Sequence, residues 1–357
     1  MLERLIHPED GQFVSKAVTA ETWERFVAEV PWASPQHRAA WGEALAASFS
    51  FIKPEYRIFF DGERAVGGIP LMHFSVGGVL HSIQSSAFDS GGGPLVVEDY
   101  LENESLFEAI FQEIDAHARR VGAFEARLIL PPTLPASVAA RFGNGYKTLS
   151  VRRNCPVLDL TPSLDAIVAG YESSVRRAVR KALKEGLEIE ANADISLVEQ
   201  AYPIYRATME RIGGSIKPWR FLKTLLESGL VVAFVAQHQG KPVGLVLLLV
   251  TERNAIYWIS ANDAAQSQLR PTNALVDSAI AWCHAHGMRT FSFGESPGER
   301  SSLERFKLGW GSEIASSITW VRTYKPFTKW AWETLEPMAR KAYGVLDSAR
   351  GLISKRK

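Results

Sequence analysis

The densest group of side chains able to hold an anion lies between Ser173 and Gly186. The run reads Ser-Ser-Val-Arg-Arg-Ala-Val-Arg-Lys-Ala-Leu-Lys-Glu-Gly. The serines can cap a helix at its start and Gly186 can end it. At about 100° per residue, Arg176, Arg180 and Lys184 share one stripe of that helix, and Arg177 and Lys181 form the next. Like charges so placed repel unless an anion neutralises them, and the guanidinium fork suits phosphate oxygens. Two readings stand side by side. One is a site for a phosphate-bearing ligand: a nucleotide-sugar pyrophosphate, CoA or an RNA end. The other is a solvated helix face with Glu172, Glu185 and Glu188 as partners.

Other arrangements carry less chemistry. Ser90-Gly-Gly-Gly-Pro94 lacks the Lys-Ser/Thr ending of a P-loop and reads as a turn. His284 and His286 are two apart, so on a helix they point in different directions, unlike the i, i+4 pair of a zinc helix. No metal site is expected. Cys155 and Cys283 are too few for a disulfide framework in a chain of 357 residues and read as reduced, buried thiols. Trp23, Trp32, Trp41, Trp219 and Trp258 read as core anchors rather than base-stacking platforms.

Forty basic residues against 39 acidic ones leave a net charge of +1, which excludes a broad polyanion binder. A hydrophobic share of 46% with 22% charged residues excludes long disorder. Met1 to Phe13 has no apolar run, so no signal peptide is expected. Gly244–Val250 is far shorter than the ~20 residues of a membrane helix. A cytoplasmic, reducing setting follows. The neutral total hides a basic C-terminus: from Arg322 onward there are nine Lys/Arg against three acids, a net of +6. There Leu335, Met338, Ala342, Leu346, Ala349 and Ile353 keep helical spacing after Trp330 and Trp332. Such a helix can pack on the body of the protein or lie on an anionic membrane.

The elements that must position these residues form two similar sets. In the first half, Tyr56–Phe60, Val66–Phe74 and Val79–Gln84 read as strands, with Asp61-Gly62 as a hairpin turn. A helix from Asn103 to Val121 ends at Gly122, and Phe124–Leu130 follows as a strand. In the second half, Leu230–Gln237, Val243–Val250 and Ala255–Ser260 are the strands. A helix from Thr272 to His286 ends at Gly287, and Arg289–Phe293 closes the set. Helical segments precede each copy: Glu21–Val30 and Gln36–Phe49, then Ser173–Glu185, Ile195–Ile212 and Pro218–Ser228. Five elements in one order suggest a duplicated unit: an antiparallel meander, a helix, and a strand returned parallel to the meander. The expected division is a first domain over 1–155, a second over 156–325 and a basic amphipathic helix over 326–357.

This element order resembles the GNAT acyltransferases, in which acyl-CoA inserts where the third strand splays from the next. Five local signatures sharpen the resemblance to the Fem-type (FemABX) aminoacyl/acyltransferase family, a GNAT-like group. They are Ser34-Pro-Gln36 with Trp41; Asp61 to Leu71; Phe88 to Leu95; the basic segment Ser174 to Gly186; and Leu303-Glu-Arg-Phe-Lys-Leu-Gly-Trp-Gly311. They span roughly residues 30 to 320; the basic helix and the Phe-Lys-x-x-Trp-Gly element are the most specific. The resemblance implies an α/β (α+β) fold of two tandem GNAT-like domains, each a mixed, mainly antiparallel sheet flanked by helices. It also implies a substrate cleft at or near their junction.

The implied activity is transfer of an acyl or aminoacyl group to an amine of a cell-envelope or metabolite acceptor. No tightly bound cofactor is implied; acyl-CoA or aminoacyl-tRNA is the co-substrate, and the acceptor is a small-molecule or lipid-linked amine. Classical members draw on aminoacyl-tRNA to extend a peptidoglycan precursor, and the helical arm that some tRNA users insert is not evident here. By the same resemblance Lys307 belongs to the active cleft, where its charge can stabilise an oxyanion or hold a phosphate. Transfer to an amine needs a base, for which Glu295 and Asp263, just past strand ends, are candidates. Asp89 can face the same cleft. Asp89, Tyr257, Arg176, Arg177, Arg180 and Lys181 are the substrate-binding candidates. Arg270, Thr272 and Asn273 open the helix whose N-terminus holds the cofactor pyrophosphate in GNAT-type proteins. No glycine lies between Asn262 and Asn273, whereas the usual CoA loop is glycine-rich. A silent module that docks RNA or anionic lipid through the basic helix and tail is the rival reading.

Overall fold

The computed structural model describes residues 13–88, 91–132, 135, 138, 149–295 and 302–335. The chain divides into two compact units. The first takes the chain up to Val151 and again over Ile318–Trp330; the second takes Arg152–Ser317 and the chain from Ala331.

The first unit opens with β1 (Val14–Val18), α1 (Ala20–Glu29) and α2 (Ala39–Ser48). Strands β2 (Ile52–Asp61), β3 (Arg64–Val76) and β4 (Leu80–Gln84) follow, then the short β5 (Leu95–Val96), α3 (Glu104–Val121) and β6 (Glu125–Leu130). β2, β3 and β4 form an antiparallel meander, and β6 pairs β4 in parallel after the α3 crossover. The residues Ile318–Thr323 then run antiparallel to β6, from Ile318 opposite Leu130 to Thr323 opposite Glu125. Asn103 caps α3, its side chain accepting the Leu106 N–H, and Gly122 closes the helix in the left-handed region. Trp23 of α1, fully buried, stacks on Tyr56 of β2 at 5.2 Å between ring centroids.

A buried histidine fastens this unit internally. His37 Nε2 donates to the Gly93 carbonyl at 3.1 Å, so Nδ1 is the acceptor for the Ser34 N–H at 2.9 Å. Ser34 Oγ lies 2.8 Å from Nδ1 and 3.2 Å from the Gly91 carbonyl. Burial depresses the His37 pKa to about 4, so the ring is neutral near pH 7. The Ser-Pro-Gln-His turn thus pins the glycine-rich segment.

The second unit contains β7 (Leu149–Asp159, entering from the first unit), α4 (Leu164–Gly170), α5 (Ser173–Lys184), β8 (Glu188–Ala191), α6 (Ile195–Ile212) and α7 (Trp219–Glu227). Its meander is β9 (Val231–His238), β10 (Lys241–Val250) and β11 (Asn254–Asn262), followed by α8 (Pro271–Ala285) and β12 (Thr290–Ser292). A short helix α9 (Ser302–Leu308) precedes β13 (Glu313–Thr323), which leads back to the first unit. β12 pairs β11 in parallel and β7 antiparallel, and β8 pairs the outer edge of β9. β10 is buried from Val243 to Leu249 because α6 and α8 both pack on it, which explains its unbroken apolar run. α5 lays Val175, Val179 and Ala182 into the core and contacts α8.

The duplicated order read from the sequence is thus present, and the fold is a mixed α/β fold of mainly antiparallel sheet flanked by helices. Five strands were not expected, one of them the two-residue β5, which pairs with β3. β1 and β8 are short edge strands with mostly exposed side chains, so they lack alternation. β7 runs across the expected domain division at 155/156, and β13 follows a tight turn at Gly311 that carries no hairpin dipeptide.

Candidate active site

In the second unit, β11 and β12 pair only over Asn254–Ile256 and Thr290–Ser292. β11 continues to Asn262 on its β10 side alone, so the two parallel strands part after Ile256. The sequence Phe293-Gly294-Glu295 turns at this parting. Gly294 takes a left-handed φ of 66°, and its N–H donates to Ser292 Oγ at 3.2 Å.

Lys307 reaches that turn from α9. Its Nζ donates to the Gly294 carbonyl at 2.9 Å and to the Glu295 carbonyl at 2.7 Å. The side chain is only 3% exposed. Burial lowers its pKa to about 8, partly offset by Cys155, Glu295 and Glu304 nearby. Two of the three ammonium N–H groups are used; the third makes no hydrogen bond among the described residues. Lys307 is therefore a cation at the edge of its titration range, held by backbone dipoles at the strand parting.

The Phe-Lys-x-x-Trp-Gly element builds this placement. Trp310 is fully buried and meets Tyr171 edge-on at 4.9 Å and Phe306 at 6.0 Å. Ser312 Oγ donates to the Lys307 carbonyl at 3.0 Å. Gly311 takes φ 78°, and a Cβ there would stand 3.1 Å from the Gly170 carbonyl oxygen, so a side chain would be both strained and crowded. The lysine, the tryptophan and the glycine thus have separate tasks: charge, anchor and turn.

Around Lys307 lie further polar groups, of which the sequence had singled out only Glu295 as a site candidate. Glu304, 4% exposed, accepts from Asn154 Nδ2 at 2.8 Å. Glu295 Oε1 accepts from Ser317 Oγ at 2.5 Å. Cys155 Sγ lies 3.3 Å from Ser292 Oγ, and burial raises the thiol's pKa, so it stays protonated. Asn154 and Cys155 come from β7 and Ser317 from β13, two strands absent from the predicted unit. No pattern in the sequence could have brought them to Lys307.

The other sequence candidates fall in three places. Tyr257 sits on β11 just past the last pair with β12, against Phe293 at 5.8 Å and Phe291 at 6.3 Å; burial raises its hydroxyl pKa to about 12. Its carbonyl is close to Gly294, so Tyr257, Glu295 and Lys307 belong to one neighbourhood. Asp263, Arg270, Thr272 and Asn273 lie together at the far end of β11. Asp263 caps the turn Ala264–Leu269 by accepting the Ala265 N–H at 2.9 Å. It also lines a groove of 340 Å³ with Thr208, Arg211, Asn262 and Ala264. Arg270 takes φ 59°, supplying at a non-glycine residue the left-handed link that starts α8.

The basic helix forms the third place. Arg177, Arg180 and Lys181 are exposed, and none makes an ion pair among the described residues. Arg176 differs: its guanidinium donates to the Ala169 carbonyl at 2.9 Å and to the Tyr171 carbonyl, closing the end of α4. Arg180 Nε in turn donates to the Arg176 carbonyl at 3.2 Å, while Arg177 and Lys181 face solvent. Asp89 lies outside the described residues. Among the described residues, no group of three or more His, Cys, Asp or Glu side chains could hold a metal ion.

Comparison with known families agrees with this arrangement. Residues 170–308 match the family model described as acetyltransferase (GNAT) domain. That match takes in the meander, α8, β12 and the GNAT unit's Lys307. FemX shares the fold at a TM-score of 0.68 and 14% identity, over 90% of this chain and all of that one. The C-terminal domain of a putative lysylphosphatidylglycerol synthetase from Agrobacterium fabrum aligns at 0.56 and 15% identity, over 89% and 97% of the two chains. A tandem GNAT protein from the clavulanic acid biosynthesis pathway aligns at 0.52 and 12%, over 87% and 98%. These likenesses show that the chain shares the fold of FemX and of the tandem GNAT protein. No curated protein sequence matches the chain.

Proposed function

We propose that the GNAT unit transfers an acyl or aminoacyl group from a thioester or ester donor to an amine. The buried Lys307, with one ammonium N–H that makes no hydrogen bond among the described residues, set at the β11–β12 parting, is the observation that carries this reading. In the reaction the amine nitrogen attacks the carbonyl carbon and negative charge grows on the carbonyl oxygen. A cation fixed beforehand by the Gly294 and Glu295 carbonyls stabilises that charge without having to reorganise. The C–S or C–O bond then breaks, and the proton lost by the nitrogen passes to a base and on to the leaving group. Glu295, whose backbone already touches Lys307, is the nearer carboxylate for that role. Asp263 lies at the other end of β11 and is engaged as a cap.

Acyl-CoA is the donor in this reading and aminoacyl-tRNA the alternative. Either brings phosphate, for which α8, beginning at Arg270, Thr272 and Asn273, presents its positive end. Exposed Arg177, Arg180 and Lys181 suit phosphate of donor or acceptor, and Arg176 holds their helix. The acceptor is a small-molecule or lipid-linked amine; the lysylphosphatidylglycerol synthetase likeness supports keeping a lipid among the candidates. The glycine-free start of α8 favours the rival reading, a module that binds without turnover. Thermal-shift titration with CoA, acyl-CoAs, charged tRNA and UDP-sugars separates them when paired with turnover: a donor that stabilises the fold and is consumed supports transfer. Stabilisation by a ligand that is never consumed supports binding alone.

A further inference from the structure

The segment 326–335 is helical, and its charged and apolar sides are arranged the reverse of a helix packed on a core. The lysines turn inward. Lys325 Nζ donates to the Gly122 carbonyl at 2.7 Å, and Lys329 Nζ pairs with buried Glu125 at 2.9 Å. Just before the helix, Arg322 pairs with Asp115 at 2.9 Å and Tyr324 donates to the same carboxylate at 2.7 Å. These contacts fasten the base of the helix to the first unit. Two of the three aromatic side chains turn outward, Trp332 being half-buried: Phe327 is 78% exposed and Trp330 62%, with ring centroids 5.7 Å apart, and Leu335 is 51% exposed. On a helical wheel Phe327, Trp330 and Leu335 fall within an arc of about 140°.

We infer that this face docks on an anionic bilayer surface. Phenylalanine and tryptophan on one exposed face suit the headgroup boundary. The charge of the sequence that follows favours anionic lipid: residues 336–357 carry six Lys/Arg against two acids. A basic tail adds attraction to anionic lipid at about 1 kcal/mol per residue near the surface. A second copy of the chain is a poorer occupant, because two such tails would repel. The body of the first unit is not the occupant of Phe327, whose side of the helix faces away from the ion pairs made there.

The experiment is flotation of the full chain with vesicles of phosphatidylcholine alone and with one third phosphatidylglycerol. The wild type floats with the anionic vesicles and not with the neutral ones, and F327S/W330S lowers the bound fraction by roughly tenfold. Replacing Lys355, Arg356 and Lys357 by Gln lowers it as well and reduces its salt dependence. All these positions lie outside the ion pairs above, and matching thermal unfolding shows that each variant folds. Absence of flotation with anionic vesicles, or equal flotation of wild type and F327S/W330S, overturns the inference. So does a concentration-dependent dimer that is lost in F327S/W330S while flotation is unchanged.

Discussion

The ammonium of Lys307 lies 2.7 Å from the backbone carbonyl of Glu295, so the charge of one candidate is placed by the main chain of the other. The contact is between a side chain and a carbonyl, not between opposite charges. It therefore persists when the Glu295 side chain is changed. Replacing Glu295 by Gln removes the proposed base together with one of the charges that hold the Lys307 pKa up; it lowers the rate of transfer by about 10²–10⁴ with the donor affinity unchanged. An unaltered rate removes the carboxylate from the mechanism.

Lys307 also sets a pH dependence of stability. Its folded pKa, about 8, lies below the ordinary value of 10.5. Between those values the unfolded chain holds more protons, so unfolding free energy rises with pH. Below pH 8 the buried charge exerts its full destabilising effect, roughly 3 kcal/mol. Urea unfolding from pH 7 to 10.5 should show this rise in the wild type, and Lys307→Met should flatten it. Equal slopes in both would mean that the lysine is not buried as described.

In the first unit the sign is the same and the window lower. His37 titrates near 4 when folded against 6.5 ordinarily, so its contribution is intact above pH 6.5 and is lost as pH falls toward 4. His37→Leu removes this dependence. It also strands the Ser34 N–H and the Gly93 carbonyl, destabilising the protein by about 2–4 kcal/mol at pH 7, readable as a drop in Tm.

Arg176 and Arg177 are neighbours in sequence with opposite expected phenotypes. Arg176→Ala uncaps two carbonyls of α4 and costs about 1–3 kcal/mol of stability. The double variant R177A/K181A leaves the unfolding free energy within about 0.5 kcal/mol of wild type but weakens binding of a phosphate-bearing donor. A loss of stability in the double variant, with donor binding intact, would make the stripe structural.

Gly311→Ala forces a Cβ into the left-handed region and against the Gly170 carbonyl. Destabilisation of about 1–3 kcal/mol is expected, measured by chemical unfolding, with Lys307 displaced and turnover reduced in step.

Much of this was legible in the residues. Apolar alternation in β2–β4 and the long apolar runs of β9 and β10 mark strands because one or both faces are covered. Asn103 and Gly122 mark the ends of α3 because they satisfy stranded backbone groups. The Phe-Lys-x-x-Trp-Gly element drew attention to Lys307 through a family resemblance, not through spacing. What could not be read was the company Lys307 keeps. Asn154, Cys155 and Ser317 arrive on β7 and β13, whose pairing depends on long-range register that leaves no local mark. The stripe of arginines was visible at helical spacing, but its division was not. Arg176 is bound to carbonyls ahead of it because α4 happens to end there.

The central claim is that Lys307 stabilises charge on the reacting carbonyl, and transfer kinetics of Lys307→Ala test it most directly. Rates would be followed from acyl-CoA and from aminoacyl-tRNA to a panel of amines, alongside the donor Kd by calorimetry. The account predicts a fall in kcat of about 10²–10³ with the donor Kd within a few-fold of wild type. A Lys307→Ala protein that folds, binds donor and turns over at the wild-type rate would contradict it.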